Sequence, residues 1–476
     1  MSQVKQAAPL DVVIMAAGKG TRMKSKLPKV LHRLAGRALL QHVVDRAGDL
    51  AARRVVVITG HGAAEVEAAL KKSQGESSGF DLEFVRQEPQ LGTGHAVQQT
   101  VPVLPDDGVV VILSGDVPLT QTDTLRDLIA ACDGTKLALL TIDFADPTGY
   151  GRIVRSETDG VQAIVEHKDA TPAQHAIKEV YSGIMAVPSK LLKPWLARLD
   201  NKNAQGEFYL TDVVKFAVAD GVPVVAHKIN DPLQVAGINS PVQLAELERA
   251  HQLRRADALM VQGVRLADPA RFDVRGELTC GQDVEIDVNC IFEGQVVLGE
   301  GVKIGANCVI AHARIEAGAV IHPFTHIDGG SSSAKDQIVV GAGALVGPFA
   351  RLRPGAKLGE QVHIGNFVEV KNATLAHGAK ANHLAYVGDS FLGERVNFGA
   401  GSITANYDGN NKHKTVIEHD VHIGSNCVLV APVTIGAGGT VGGGSTVTKD
   451  TAPGALTVAR SKQVSRDNWA RPAKKK

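Results

Sequence analysis

Several features that would place a 476-residue chain in a large protein class are missing here. Its five cysteines (Cys132, Cys280, Cys290, Cys308 and Cys427) are odd in number, scattered and free of any C-x-x-C pair. That argues against a disulfide framework or a structural zinc site, and inert thiols are expected. Charge of one sign is lacking as well: 51 Lys+Arg against 50 Asp+Glu leave a formal +1, so no global field marks a nucleic-acid or acidic-membrane binder. No uninterrupted apolar run approaches the ~18 residues of a membrane span. The N-terminal segment has one short apolar run, 12–17, and no basic-then-apolar signal sequence, so a cytoplasmic location is expected. What the chain does have is 44% hydrophobic residues, enough to bury substantial cores. At roughly 150 residues per domain its length predicts about three units, or two if one is long and repetitive.

Glycine divides the sequence. The first 263 residues hold 21 glycines and the last 213 hold 29, or about 8% against 14%. In the first part, apolar runs (12–15, 54–59, 109–113, 137–142) alternate with helix-like stretches (39–50, 62–71, 122–132). This alternation predicts an α/β domain of Rossmann-like type with a mainly parallel sheet, over residues 1–239. Residues 240–263 follow a helical period (Leu244, Leu247, Ala250, Leu253, Ala256, Leu259) after Asn239-Ser240-Pro241, a cap and a Pro near the first helical position, and are expected to form a linker helix.

From residue 264 to 476 the pattern becomes a six-residue beat of an aliphatic residue followed by Gly: Leu298-Gly299, Ile304-Gly305, Val340-Gly341, Val346-Gly347, Leu358-Gly359, Ile364-Gly365 and onward. A hexapeptide period predicts a parallel β-helix, with one short strand and one turn per repeat and three repeats per coil. The aliphatic residue is expected to point inward, and the Gly to supply unusual turn dihedrals. The beat breaks between Gly365 and Gly393 and between Gly399 and Gly424, where the frame slips or a segment is inserted. The polar run 329–337 is expected to be a further loop. The basic end, Arg471 to Lys476, reads as a solvated tail.

The strand 12–15 runs into Ala16-Ala17-Gly18-Lys19-Gly20-Thr21-Arg22-Met23, with Pro28-Lys29 downstream. Small residues let backbone N–H groups approach phosphate oxygens, and Lys and Arg neutralise charge that builds during phosphoryl transfer. The string is neither the dinucleotide fingerprint nor a Walker A loop. Further along come Gln87, Leu91-Gly92-Thr93-Gly94-His95, Ser114-Gly115-Asp116-Val117-Pro118, Gly149-Tyr150-Gly151-Arg152, Val165-Glu166-His167-Lys168 and Val235-Ala236-Gly237-Ile238-Asn239. Together these resemble the sugar-nucleotidyltransferases. With the β-helix included, the whole chain resembles the bacterial family of bifunctional N-acetylglucosamine-1-phosphate uridylyltransferases and glucosamine-1-phosphate acetyltransferases.

The resemblance implies that Ala16, Ala17 and Gly18 line the nucleotide site, and that Arg22 and Lys29 hold the UTP phosphates and stabilise the one transferred. It implies that Gln87, Gly92 and Thr93 read uracil, with Ser114 and Gly115 beside the nucleotide. Asp116 and Asn239 would ligate Mg²⁺, and Gly151 and Glu166 would hold the sugar. One position departs from the family pattern: Tyr181-Ser182-Gly183 stands where relatives have Asn-x-Gly, so Tyr181 is a candidate replacement for that sugar contact.

In the β-helix, polar residues concentrate between Arg351 and Tyr407. Acyl transfer from a thioester needs a base for the attacking amine, donors for the oxyanion and cations for phosphate. His383 is the natural base, its unperturbed pKa near 6.5 suiting cytoplasmic pH, with Glu369 placed to orient it. The resemblance implies glucosamine-1-phosphate binding by Arg353, Lys371, Tyr386 and Asn397. It implies acetyl-CoA binding by Ala400, Asn406, Tyr407, Ser425, Gly443 and Arg460. It further implies a left-handed coil, a homotrimer with acetyltransfer sites between subunits, and a product, UDP-N-acetylglucosamine, that feeds cell-wall and lipopolysaccharide synthesis. The alternative is a monofunctional sugar-1-phosphate nucleotidyltransferase whose β-helix is only a trimerisation scaffold.

Overall fold

The computed structural model describes residues 8–74, 79–331 and 333–472. The last four residues of the basic tail lie outside the described residues, while Arg471 and Pro472 are exposed. Contacts divide the chain between Ala250 and His251 into two compact units.

In the first unit the apolar runs become strands Leu10–Met15, Arg54–Thr59, Val109–Ser114 and Leu137–Asp143. The helix-like stretches become helices Leu39–Asp49, Ala63–Gln74 and Thr122–Cys132. The main sheet runs in the order Val224–Ile229, Leu137–Asp143, Glu179–Pro188, Val109–Ser114, Leu10–Met15, Arg54–Thr59, Asp81–Arg86. Every neighbouring pair is parallel except those made by Glu179–Pro188, which is antiparallel to both of its neighbours. A hairpin, Arg152–Arg155 with Val161–Val165, joins the side of that strand. Successive residues of the central strands enter opposite cores: Val12 and Ile14 pack with Val55, Val111 and Leu113, and Val13 packs with Val56, Val110 and Ile112. A sheet covered on both faces explains why its strands read as continuous apolar runs rather than alternating ones.

The chain passes from Leu10–Met15 outward to Arg54–Thr59 and Asp81–Arg86, then returns to the other side of the first strand at Val109–Ser114. This reversal opens a crevice beyond the carboxyl ends of the two central strands, the usual place for a ligand in an open α/β sheet. Both glycine-bearing segments, 16–20 and 114–116, leave the sheet there.

The helix Pro241–Val261 forms over the range its period predicts. After it, three parallel series of short strands wind a β-helix. One face carries His363–Asn366, Lys380–His383, Asn397–Phe398 and His422–Ile423; the next carries Arg351–Leu352, Glu369–Lys371 and Tyr386–Gly388; the third carries Lys357–Leu358, Thr374–Leu375 and Ser390–Leu392. The beat residues Val346, Ile364, Phe398 and Ile423 stack with Ala381 in a single buried core.

The beat glycines do something other than expected. Most have ordinary φ, and the left-handed positions fall elsewhere, at Gly301, Gly343, Gly378 and Gly401, and at Asn, Asp and even Phe residues. What demands glycine is the next coil: a Cβ on Gly365 would lie 1.9 Å from Asn382 O, and one on Gly341 would lie 2.4 Å from the Gly359 carbonyl carbon. The glycines permit coils to stack backbone against backbone, a packing role more than a turn role.

The two breaks in the beat have different causes. His363, Lys380 and Asn397 are paired in successive coils, so two coils there have 17 residues and the frame slips without an insertion. Asn397 pairs next with His422, a 25-residue coil that includes a loop around 406–414. Another 25-residue step, Val320 to Leu345, contains the expected loop over its described residues, 329–331 and 333–337.

Candidate active sites

At the sheet reversal a cavity of about 900 Å³ is lined by Ala16, Ala17, Gly18, Lys29, Gln87, Gly92, Thr93, Ser114 and Asp116, among others. The loop after Met15 is shaped by close approach. Gly20 has φ +60°, and a Cβ on it would sit 2.6 Å from Lys29 Cβ, so the loop folds directly over the lysine. Each of the two glycine-bearing segments is tied to a neighbouring strand: Ala16 donates to Ile58 O and Gly115 to Met15 O, each at 2.9 Å. Gln87 Nε2 donates to Gly92 O at 2.9 Å, and Thr93 Oγ1 accepts from the Leu210 N–H at 3.1 Å, which fixes this wall of the cavity.

Asp116 and Asn239, 123 positions apart, meet at Lys29: Lys29 Nζ lies 2.5 Å from Asp116 Oδ2 and donates to Asn239 Oδ1 at 3.1 Å. A carboxylate and an amide oxygen around a cationic group form a hard-oxygen donor set, the type Mg²⁺ takes together with water and phosphate oxygens. In the structure the Lys29 ammonium lies between these two oxygens. Arg22 is exposed on the short helix Thr21–Met23 and does not line the cavity.

Gly151, Glu166 and Tyr181 lie together outside the cavity lining. Tyr181 donates its N–H to Gly151 O at 2.9 Å. A Cβ on Gly151 would be 2.7 Å from Ile164 Cγ2 and 3.7 Å from Glu166 Oε1. Glu166 accepts from Thr211 Oγ1 at 2.9 Å, and burial holds its carboxyl above the ordinary carboxylate range. Tyr181 is buried, its hydroxyl has no hydrogen-bond partner, and burial and then the nearby Glu166 push its pKa up.

On the β-helix, His383 Nδ1 lies 3.0 Å from Asn366 Oδ1, its register partner one coil below. An amide oxygen can only accept, so this contact suits the tautomer that donates from Nδ1 and presents Nε2 as the acceptor. The expected partner Glu369 is engaged elsewhere, accepting from Arg353 Nη1 at 2.6 Å and lying 3.5 Å from Arg351. Asn366, not Glu369, orients the histidine. Seventeen residues, one short coil, separate the two, a spacing visible only once the slipped frame is known.

The register that pairs Lys380 with Asn397, His422 and Thr440 carries the column upward from His383 through Ala400, Ser425 and Gly443. Arg460 Nη1 reaches Gly443 O at 2.5 Å. Arg353, Lys371 and Tyr386 stand on the adjoining face. Lys371 lies against Lys412, a loop residue absent from the expected set, and this contact, with burial and Arg353, lowers its pKa. Asn406 is tied by its side-chain amide to Asp389 and is nearly buried, while Tyr407 is exposed with its hydroxyl on Gly409 O at 2.5 Å. Asp408 organises the loop, accepting from the N–H groups of Asn410 and Asn411 and contacting His413 Nε2 at 2.7 Å.

At the corner before Tyr386's face, Phe324, Phe349 and Phe367 stack in successive coils, with centroids 5.0 and 5.4 Å apart, all with left-handed backbone and about half exposed. Phe349, Phe367 and His383 share one shallow depression. Burial raises Cys132, Cys280 and Cys290 to about 11 and Cys308 to about 12, which disfavours the reactive thiolate at these four positions. Among the described residues no helix is long and apolar enough to cross a membrane.

A MobA-like NTP transferase domain family matches residues 12–200, and the bacterial transferase hexapeptide family matches residues 279–312. The chain is 78% identical to the bifunctional protein GlmU of Albidiferax ferrireducens, over 98% of this chain and 100% of that protein. It is 74% identical to that of Polaromonas naphthalenivorans, over 98% of each chain. With Herminiimonas arsenicoxydans GlmU the identity is 54%, over 98% of this chain and 99% of the other. A nucleotidyltransferase unit, a hexapeptide β-helix and full-length likeness at this level establish that the chain belongs to the GlmU family of bifunctional proteins.

Proposed function

We propose that the β-helix acetylates glucosamine-1-phosphate from acetyl-CoA and that the first unit then joins the product to UTP, yielding UDP-N-acetylglucosamine and pyrophosphate. The observation that carries this reading is that one chain holds two chemically different constellations: Lys29 with Asp116 and Asn239 at a sheet's carboxyl edge, and His383 held by Asn366 beside Arg353, Lys371 and Tyr386.

In the uridylyl step a phosphate oxygen of N-acetylglucosamine-1-phosphate attacks the α-phosphorus of UTP, and the α–β anhydride bond breaks to release pyrophosphate. The step demands in-line positioning and charge neutralisation, with no protein nucleophile. Lys29 and Arg22 neutralise phosphate charge, Gln87 and the Gly92-Thr93 wall hold uracil, and Gly151, Glu166 and Tyr181 hold the sugar. Asp116 and Asn239 would hold Mg²⁺, which when bound supplies electrostatic stabilisation to the phosphates.

In the acetyl step the amine nitrogen attacks the thioester carbonyl. His383 Nε2 accepts the amine's proton, the C–S bond breaks, and CoA leaves as the thiol. Arg353, Lys371 and Lys412 fit the sugar phosphate, Tyr386 and Asn397 the sugar, and the Ala400–Ser425–Gly443 column with Asn406, Tyr407 and Arg460 the acetyl-CoA. A homotrimer fits this site, because His383 stands on an open face beside an exposed apolar strip of phenyl rings that a second copy would cover. The substrates fit a cytoplasmic enzyme.

The test follows free thiol from acetyl-CoA and glucosamine-1-phosphate without UTP. His383→Ala should lose 10²- to 10⁴-fold in rate, the span of general acid–base catalysis. Arg22→Ala should retain wild-type thiol release. A wild type that releases no thiol would leave the β-helix a scaffold.

A further inference from the structure

Two charged residues stand in the fully buried class among the described residues, Asp11 and Arg152. Asp11 is matched: Arg53 grips it with two hydrogen bonds, at 3.0 and 2.6 Å. Arg152 is 1% exposed, and among the described residues no carboxylate pairs with it. Asp146 feels its charge but hydrogen-bonds Thr148 instead. The Arg152 Nε is buried without any partner. A desolvated guanidinium with no anion is unfavourable, and an apolar side chain of similar volume would serve a merely structural position better.

Its two remaining contacts are specific. Nη1 donates to Tyr150 O at 2.5 Å, and Nη2 lies 3.4 Å from His167 Nδ1. Tyr150 O belongs to the same planar peptide as the Gly151 N–H, so fixing the oxygen fixes the direction of that N–H. Tyr181 holds the other side of Gly151 through Gly151 O. Gly149, two residues earlier, has φ +86° and open space around it; the turn is closed by the Tyr150 N–H on Pro147 O at 3.2 Å and by the Tyr150 ring against Phe144, and Arg152 is the side chain that takes the Tyr150 carbonyl. His167 directly follows Glu166. One guanidinium thus braces both segments that carry the sugar contacts.

We infer that Arg152 is a positioning residue for the sugar end of the uridylyltransfer site, orienting the Gly151 N–H through Tyr150 O and the Glu166 segment through His167. This inference rests on the uridylyl reading of the first unit. Arg152 does not touch the substrate.

The experiment measures pyrophosphate release by the full-length enzyme, varying N-acetylglucosamine-1-phosphate and UTP separately, in wild type, Arg152→Lys, Arg152→Met and His167→Ala. KM for the sugar phosphate should rise about tenfold or more in both Arg152 variants, while KM for UTP stays within about twofold. Lysine keeps the charge but loses the fork, so it should not rescue. His167 is only half-buried, and His167→Ala, which leaves the core intact, should raise the same KM about threefold. Thiol release by the β-helix should be unchanged in all three variants. An unchanged sugar KM, a parallel rise in both KM values, or full rescue by lysine would overturn the assignment. A wild type that releases no pyrophosphate would overturn the uridylyl reading itself, and the inference with it.

Discussion

Lys29 stands between two oxygen donors that sequence order separates widely, and Glu166 sits desolvated with a single hydroxyl on one oxygen. Lys29 is well paired, whereas Glu166 is poorly matched, as expected of a group arranged for a ligand rather than for stability. For Glu166 the consequence is measurable. Its folded pKa is raised above the ordinary 4.5 by burial, so the folded state binds more protons than the unfolded one in the window above 4.5. Stability from this group is present below 4.5 and lost as pH rises through the raised value. Glu166→Gln should therefore melt higher than wild type at pH 7–8, and the advantage should vanish toward pH 4. An advantage that grows with acidity would contradict the burial argument. At the second site, Asn366→Ala should lower kcat for thiol release about tenfold, the ~1.4 kcal/mol of one orienting hydrogen bond. Pyrophosphate release should be untouched, and an unchanged kcat would return the orienting role to another group. The residues that bind through local motif chemistry, such as Ala16 to Lys29, were legible as a string. Asn366, Lys412 and Arg152 were not, because each acts through a neighbour that only stacking or a hairpin brings near.

The elements were legible to different depths. Apolar runs gave the strands of the first unit almost to the residue, because a sheet buried on both faces requires them. The hexapeptide beat gave the coil and its core. Period alone does not disclose the glycine role: repetition marks where small residues recur but not whether a dihedral or a neighbouring backbone demands them. The frame slip was opaque for a similar reason, since a 17-residue coil differs from an 18-residue one by a single missing turn residue. The packing role predicts that Gly365→Ala destabilises the β-helix by about 1–3 kcal/mol, as overpacking does. The check is the urea midpoint of the full chain followed by thiol-release activity. A dihedral role would predict almost no effect at Gly365, whose φ alanine tolerates.

At the scale of the whole molecule, two units with separate cores carry separate chemistries, and the product of one reaction is the substrate of the other. The cavity proposed for uridylyl transfer lies within a sheet reversal that one chain completes, whereas His383 lies on an open face. Loss of one activity should therefore leave the other standing. The decisive measurement supplies glucosamine-1-phosphate, acetyl-CoA, UTP and Mg²⁺ and follows UDP-N-acetylglucosamine in His383→Ala, in Lys29→Ala and in a mixture of the two separately purified variants. Each variant alone should form almost none, and the mixture should recover a large part of the wild-type rate, as free N-acetylglucosamine-1-phosphate passes between molecules. A mixture as inactive as its components would contradict two independent sites on one chain.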